Sequence, residues 1–237
     1  MLGSHLKANA RKLMLDNAPR IYFVTALYVI LLAVLSYLRF RLPGDIDLDA
    51  MYTRLSLGEL PSLSIIYVNF RQFGVFLALL LFIFTPVLEI GYMGYCLKIK
   101  RKQQTQFKDI FNGFLYFFKV IKLFLLIVVF ILLWGLLLII PGIVAAYRYR
   151  LAYYIFLDDS SKSALSCIRE SSAMMFGSKV DLLIIDLSFI GWYILDVIIT
   201  FLNPLPIGIP IVTLWLTPYM TLTRAGFYEH KIGSLAA

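Results

Sequence analysis

Leu123–Ala146 reads LFLLIVVFILLWGLLLIIPGIVAA and carries no charged residue. As a helix rising 1.5 Å per residue it covers ~36 Å, against a hydrocarbon core of about 30 Å, so the run predicts a membrane span. Pro141 and Gly142 interrupt it near its far end. Either one long helix ends on the far side, or the IIPGI step turns the chain and Ile143–Leu157 returns as a span of its own; the return is favoured. That returning segment, IVAAYRYRLAYYIFL, is short for a span and holds Arg148 and Arg150. Its neighbour decides the matter. Asp158–Lys179, DDSSKSALSCIRESSAMMFGSK, is Ser-capped, and its Leu165, Ile168, Ser172, Met175 and Phe176 fall at helical spacing, as in a surface helix. Its Lys162, Arg169 and Lys179 lie inside only if the chain returns.

The whole chain has the same character. Of its 237 residues 61% are hydrophobic and only 15% charged, with a mean hydropathy of +0.84, which excludes an ordinary soluble domain and a disordered chain alike. The net charge of +8 reports membrane orientation, not a nucleic-acid partner, because the basic residues cluster beside apolar runs. Cys96 and Cys167 are too few and too dispersed for a disulfide framework or a zinc site and read as reduced thiols.

Outward from the central run, the pattern predicts an all-α, polytopic bundle in a single membrane domain over 1–237, with six spans, five being the alternative, and two or three short interfacial helices. Residues 1–20 form a cytoplasmic amphipathic start, with Leu6, Ala10, Leu13 and Met14 on one face and Lys7, Arg11, Lys12 and Arg20 as anchors. Ile21–Leu38 is a retained first span. The loop 39–71 mixes both charge signs with Pro43, Gly44 and Pro61 and reads as external. The second span, Gln72–Leu97, contains Pro86 and Glu89 and ends at the densest basic cluster, Lys98, Lys100, Arg101 and Lys102. QFKDIFNGFLYFFK, 106–119, is then a surface helix on the inner leaflet, so that 98–119 and 158–179 are cytoplasmic. Val180–Phe201 is the fifth span, with Asp186 and Asp196; NPLPIGIP, 203–210, is a tight loop; Ile207–Thr223 is the sixth span. Arg224, His230 and Lys231 place the C-terminus inside. A weak echo, Thr85-Pro86 before Gly94-Tyr95 and Thr217-Pro218 before Gly226-Phe227, suggests a unit used twice.

Glu89, Arg148, Arg150 and Asp186 all fall within ~10–15 Å of the inner boundary, and charges facing lipid are costly, so the four are expected to form a buried network. Such a network either holds an anionic ligand or pins the helix register. Asp196 stands alone in the outer half, facing outside water or accepting from a Tyr or Thr hydroxyl. Pro86, Pro141 with Gly142, and Pro218 are expected helix breaks, which serve ion or substrate binding in transporters and packing elsewhere.

Catalytic chemistry has little to stand on. His5 and His230 lie near the two ends; there is no glycine-rich phosphate loop, nucleophile elbow or zinc-protease helix, and Asp158-Asp159 reads as a helix cap. No enzyme, cofactor or metal is expected.

The segments LKANARKLM (6–14), LLLIIPGIVAAYRYRLAYYIFLDD (136–159), SALSCIRESSAMMFGSK (163–179), DLLIIDLSFIGWYIL (181–195) and LWLTPYMTLTRAGFYE (214–229) together resemble a bacterial integral-membrane family catalogued as domain of unknown function 975. The resemblance implies a six-span protein of the bacterial plasma membrane and carries no functional residues; the charged loops place both termini on the cytoplasmic side. Two functions remain: a non-enzymatic membrane protein acting through lipids, anionic headgroups at the inner leaflet, a membrane partner or a second copy; or a small transporter or export accessory for an anionic or amphipathic solute.

Overall fold

The charge-free run folds as two helices. In the computed structural model, which describes residues 2–41, 82–202 and 211–236, the run is helical to Leu137, passes through an extended Leu138 (φ −162°, ψ 152°) and resumes at Ile139. Pro141 therefore sits in the first turn of the second helix, where a missing N–H leaves no hydrogen bond unmade. Gly142 does different work: a Cβ on it would lie 2.9 Å from Gly135 Cα, so the two helices cross backbone to backbone. With the Phe130 and Tyr149 rings 5.9 Å apart as well, the chain turns back as the IIPGI step implies. The break itself is at Leu138.

The elements in order are α1 (Leu2–Asp16), α2 (Arg20–Arg41), α3 (Phe82–Lys100), a 3-10 helix (Phe107–Tyr116), α4 (Phe117–Leu137), α5 (Ile139–Arg148), α6 (Ala152–Asp158), α7 (Ala164–Met174), α8 (Lys179–Leu187), α9 (Ile190–Leu202) and α10 (Ile211–Ala236). No strand occurs among the described residues. Three helical stretches are long and apolar enough to cross a membrane: Phe82–Lys100, Phe107–Leu137 and Lys179–Ile199. A fourth is added if Leu2–Asp16 and Arg20–Leu35, bent by 100°, are one broken span. The all-helical character thus stands, with three or four stretches among the described residues long and apolar enough to span, not the expected six. The expected external loop beyond residue 41, the start of the second span at Gln72 and the 203–210 loop lie outside those residues.

The contacts divide the chain into two units, Met1–Val29 with Val87–Ala237, and Ile30–Pro86. The described residues of the smaller unit are helical: Ile30–Arg41 of α2 and Phe82–Pro86 of α3.

In the larger unit the expected fourth span is two short helices, α5 and α6, broken at Tyr149–Leu151. Breaks in a bundle interior need partners for the freed backbone groups. Here α7 supplies them: the fully buried Ser171 hydroxyl donates to Arg148 O (2.9 Å) and accepts from Leu151 N (3.2 Å). Ser163 caps α7 by accepting from Ser166 N, as the Ser-rich start implies.

The N-terminal helix has the expected apolar face, and the structure adds what covers it. Leu6, Ala10, Leu13 and Met14 are the buried face of α1, and protein covers them. Leu6 packs at Gly226 of α10, Gly3 lies against Ile185 of α8, and Lys7 Nζ sits 4.4 Å over the Phe189 ring. An amphipathic stripe is the same whether its apolar partner is lipid or helix.

The other proline expectations change as well. Pro86 and Pro218 lie inside continuous helical segments of α3 and α10, and both are buried. The fifth span does bend, but at Ser188–Phe189, between α8 and α9.

Candidate functional site: an ionic junction beside α3

α3 ends where Arg101 N bonds Leu97 O, Lys102 N bonds Ile99 O and Gln103 N bonds Lys98 O. This is the Schellman closure, and Lys102 occupies its left-handed position (φ 56°), where glycine is usual. The closure sets the basic cluster at the helix end among acids from distant parts of the chain. Lys98 Nζ pairs with Asp109 Oδ1 at 2.9 Å. Asp109 is the N3 residue of the 3-10 helix and its Oδ2 also accepts from Gln106 N at 2.8 Å, completing a capping box. Arg101 donates from Nη1 and Nη2 to both oxygens of Asp158 (2.5 and 3.0 Å) and from Nε to Glu229 (2.7 Å). The Tyr228 hydroxyl donates to Asp158 Oδ2 at 2.6 Å. The paired carboxylates raise the guanidinium of Arg101 above its ordinary value.

The cluster is therefore not four free cations. Lys98 and Arg101 are held in ion pairs, Lys100 is half-buried beside Gly226, and Lys102 is exposed. Their partners lie 11, 57 and 128 residues away in the chain, too far for local reading to join them. Asp158 is an ion-pair residue, not a cap; its neighbour Asp159 closes the turn after α6, accepting from Ser161 N at 3.0 Å.

Two cavities flank this junction. One, of about 300 Å³, lies between α3, the 3-10 helix and α6, and is lined by Gly91, Gly94, Lys98, Arg101, Asp109 and Asp158 among others. The second, of about 320 Å³, lies between α6, α7 and α10 and shares Asp158 with the first. The first owes its shape to glycine. A Cβ on Gly91 would lie 1.7 Å from Ile110 O, and one on Gly113 would lie 2.1 Å from Val87 O, so α3 and the 3-10 helix touch through their backbones.

The expected network of four intramembrane charges is arranged otherwise. Asp186 accepts from Arg224 Nε at 3.0 Å, not from Arg148 or Arg150. Arg148 bonds the Ser172 hydroxyl. Glu89 is exposed, and neither its side chain nor that of Arg150 makes a hydrogen bond or ion pair among the described residues. The predicted partners share tyrosine neighbours: Tyr153 lies within electrostatic reach of both Glu89 and Arg150, and Tyr147 of Arg150 and Asp186. Arg224 marks orientation in the sequence, and it is the true partner because the packing of α10 on α8 brings it opposite Asp186. Asp196 takes the hydroxyl alternative, accepting from Thr213 Oγ1 at 2.9 Å. Among the described residues no group of three His, Cys, Asp or Glu side chains is placed to hold a metal.

No curated protein and no solved structure matches the chain. A family model does, over residues 135–233, which run from the α4–α5 crossing through the Asp158 and Glu229 partners of Arg101; LKANARKLM lies outside that match. The matching family model is described as Protein of unknown function (DUF975), and it is residues 135–233 that are similar to it.

Proposed function

We propose that this chain is a multi-pass, non-enzymatic protein of the bacterial plasma membrane that acts through membrane lipids or a membrane partner, with both termini cytoplasmic. The observation that carries the reading is the pairing of charge with charge: Asp186 with Arg224, Lys98 with Asp109, and Arg101 with Asp158 and Glu229. Charges neutralised by protein pin helices and leave little excess to draw a charged solute through the bundle. Around them, the α4–α5 turn from Leu136 to Ile140 and much of α9 expose large apolar side chains, as lipid-facing surface does. The shared side of the termini is supported by α1, whose Leu6 packs at Gly226 of α10.

Cysteine labelling tests the topology. Cys96 and Cys167 are both 0% exposed and stay silent, so cysteines placed at the exposed Ser4, Lys102 and Ser234 report alone. All three are expected to react with an impermeant maleimide only after cells are opened. Reaction in intact cells would overturn the orientation, and protein that purifies in mild detergent free of both phospholipid and partner by native mass spectrometry would overturn the lipid or partner role. The transporter reading rests on Glu89 and Arg150; it predicts a solute that stabilises the parent and not Arg150→Gln.

A further inference from the structure

The cavity beside Arg101 has a charge pattern of its own. Its lining contains two cations, Lys98 and Arg101, and two carboxylates, Asp109 and Asp158, so its formal charge balances. A pocket for a simple anion would need an excess of cations, and one for a simple cation an excess of acids. A balanced, two-signed lining is complementary to a dipolar ligand. The charges also keep free hydrogen-bonding capacity. An ammonium has three donors and a guanidinium five, of which Lys98 uses one on Asp109 and Arg101 three on Asp158 and Glu229. The side chains of Lys98, Arg101 and Asp158 remain 36, 30 and 25% exposed.

Position supplies the second argument. Lys98 and Arg101 lie at the end of a helix long and apolar enough to span, which is the depth of lipid headgroups. Leu115 and Tyr116 of the 3-10 helix line the same cavity and are exposed, continuing it as apolar surface. Its volume of about 300 Å³ is at the small end for ligand pockets, fit for a headgroup with the chains left outside.

We infer that this cavity binds the headgroup of a zwitterionic aminophospholipid, its phosphate on Lys98 and Arg101 and its primary ammonium on Asp158, with the acyl chains along Leu115 and Tyr116. The ammonium goes to Asp158 because the Asp109 carboxylate is buried and held by Lys98, Gln106 and Asn112. A primary ammonium is favoured over a quaternary one because the carboxylate accepts N–H donors, which a trimethylated nitrogen lacks. The inference rests on the proposal that the chain works through lipids, and it names the lipid class.

The test uses the full chain in nanodiscs of phosphatidylcholine containing matched fractions of phosphatidylethanolamine or phosphatidylglycerol. Phosphatidylethanolamine is expected to raise Tm by about 4 °C when present at about ten times its Kd, and phosphatidylglycerol to leave it near the phosphatidylcholine value. Ser160→Trp fills the cavity from its rim without removing an ion-paired side chain, and should abolish the shift while keeping the parent Tm in phosphatidylcholine. Asn112→Leu is the second variant, making the lining apolar and removing a donor to Asp109, and is expected to reduce the shift. An equal shift with phosphatidylglycerol, or a full shift in both variants, overturns the inference and leaves the lipid reading standing. A full shift with soluble phosphoethanolamine alone overturns the lipid as the source of the headgroup. A Tm indifferent to every lipid, in protein that copurifies with none, removes both proposals.

Discussion

Arg101 grips Asp158 with both terminal nitrogens while its Nε turns to Glu229, so one side chain at the end of α3 ties α6 to α10. A lysine there would keep the charge and lose the planar fork. Because the pair is partly exposed, solvent screens it. Arg101→Lys is expected to cost about 1 kcal/mol, a fall in Tm of about 2–4 °C in detergent; an unchanged Tm would show the fork to be idle.

Asp186 and Arg224 are a pair with little exposure on either side. Removing one partner leaves the other charge buried alone, so Asp186→Asn and Arg224→Gln should each destabilise by about 3 kcal/mol. The double variant should lose less than the sum, which a double-mutant cycle reads directly. Arg150→Gln, with no ion pair to break among the described residues, should cost under about 1 kcal/mol.

The glycine contacts predict a contrast in which size is constant and place alone differs. Gly91→Ala and Gly113→Ala drive a methyl group into backbone carbonyls and should lower the folded yield or cost about 3 kcal/mol. Gly135→Ala meets nothing within 4 Å and should hold or raise Tm, since alanine favours helix by about 1 kcal/mol. Thermal unfolding of the three variants side by side checks the ordering.

Burial first, and then the bond to Asp158, raise the Tyr228 hydroxyl above its ordinary pKa of 10.0. As pH rises the unfolded chain ionises before the folded one. The stability due to neutral Tyr228 is therefore fully present below about pH 10 and lost above it. Tyr228→Phe cannot ionise, so between about pH 9 and 11 its Tm should fall less steeply than the parent's.

Lys102 holds a left-handed backbone that costs an L side chain about 1–2 kcal/mol. Lys102→Gly should relieve part of this and raise Tm by about 2–4 °C. If Tm falls instead, the lysine side chain contributes more than its backbone costs.

How far such details are legible in the sequence depends on the reach of the interaction. The buried stripe of α1, the capped start of α7 and the turn at IIPGI are set by residues a few positions apart, and periodicity or capping chemistry reveals them. The prolines mislead because a proline within a packed helix and one at a break look alike in sequence. The junction is not legible, since Arg101 with Glu229 and Asp186 with Arg224 depend on which helices become neighbours. The same holds for the basic cluster, because the acids that pair with Lys98 and Arg101 come from other helices.

The burial of α1 against α8 and α10 has a consequence for biogenesis. While the chain is being inserted, Leu6, Ala10, Leu13 and Met14 must wait, apolar face uncovered, until the surface formed by α8 and α10 has emerged. The earlier helix thus reports on the later one: in a chain interrupted before α10, α1 offers an unclaimed amphipathic flag to chaperones and membrane proteases, and docking on α8 and α10 takes that flag down.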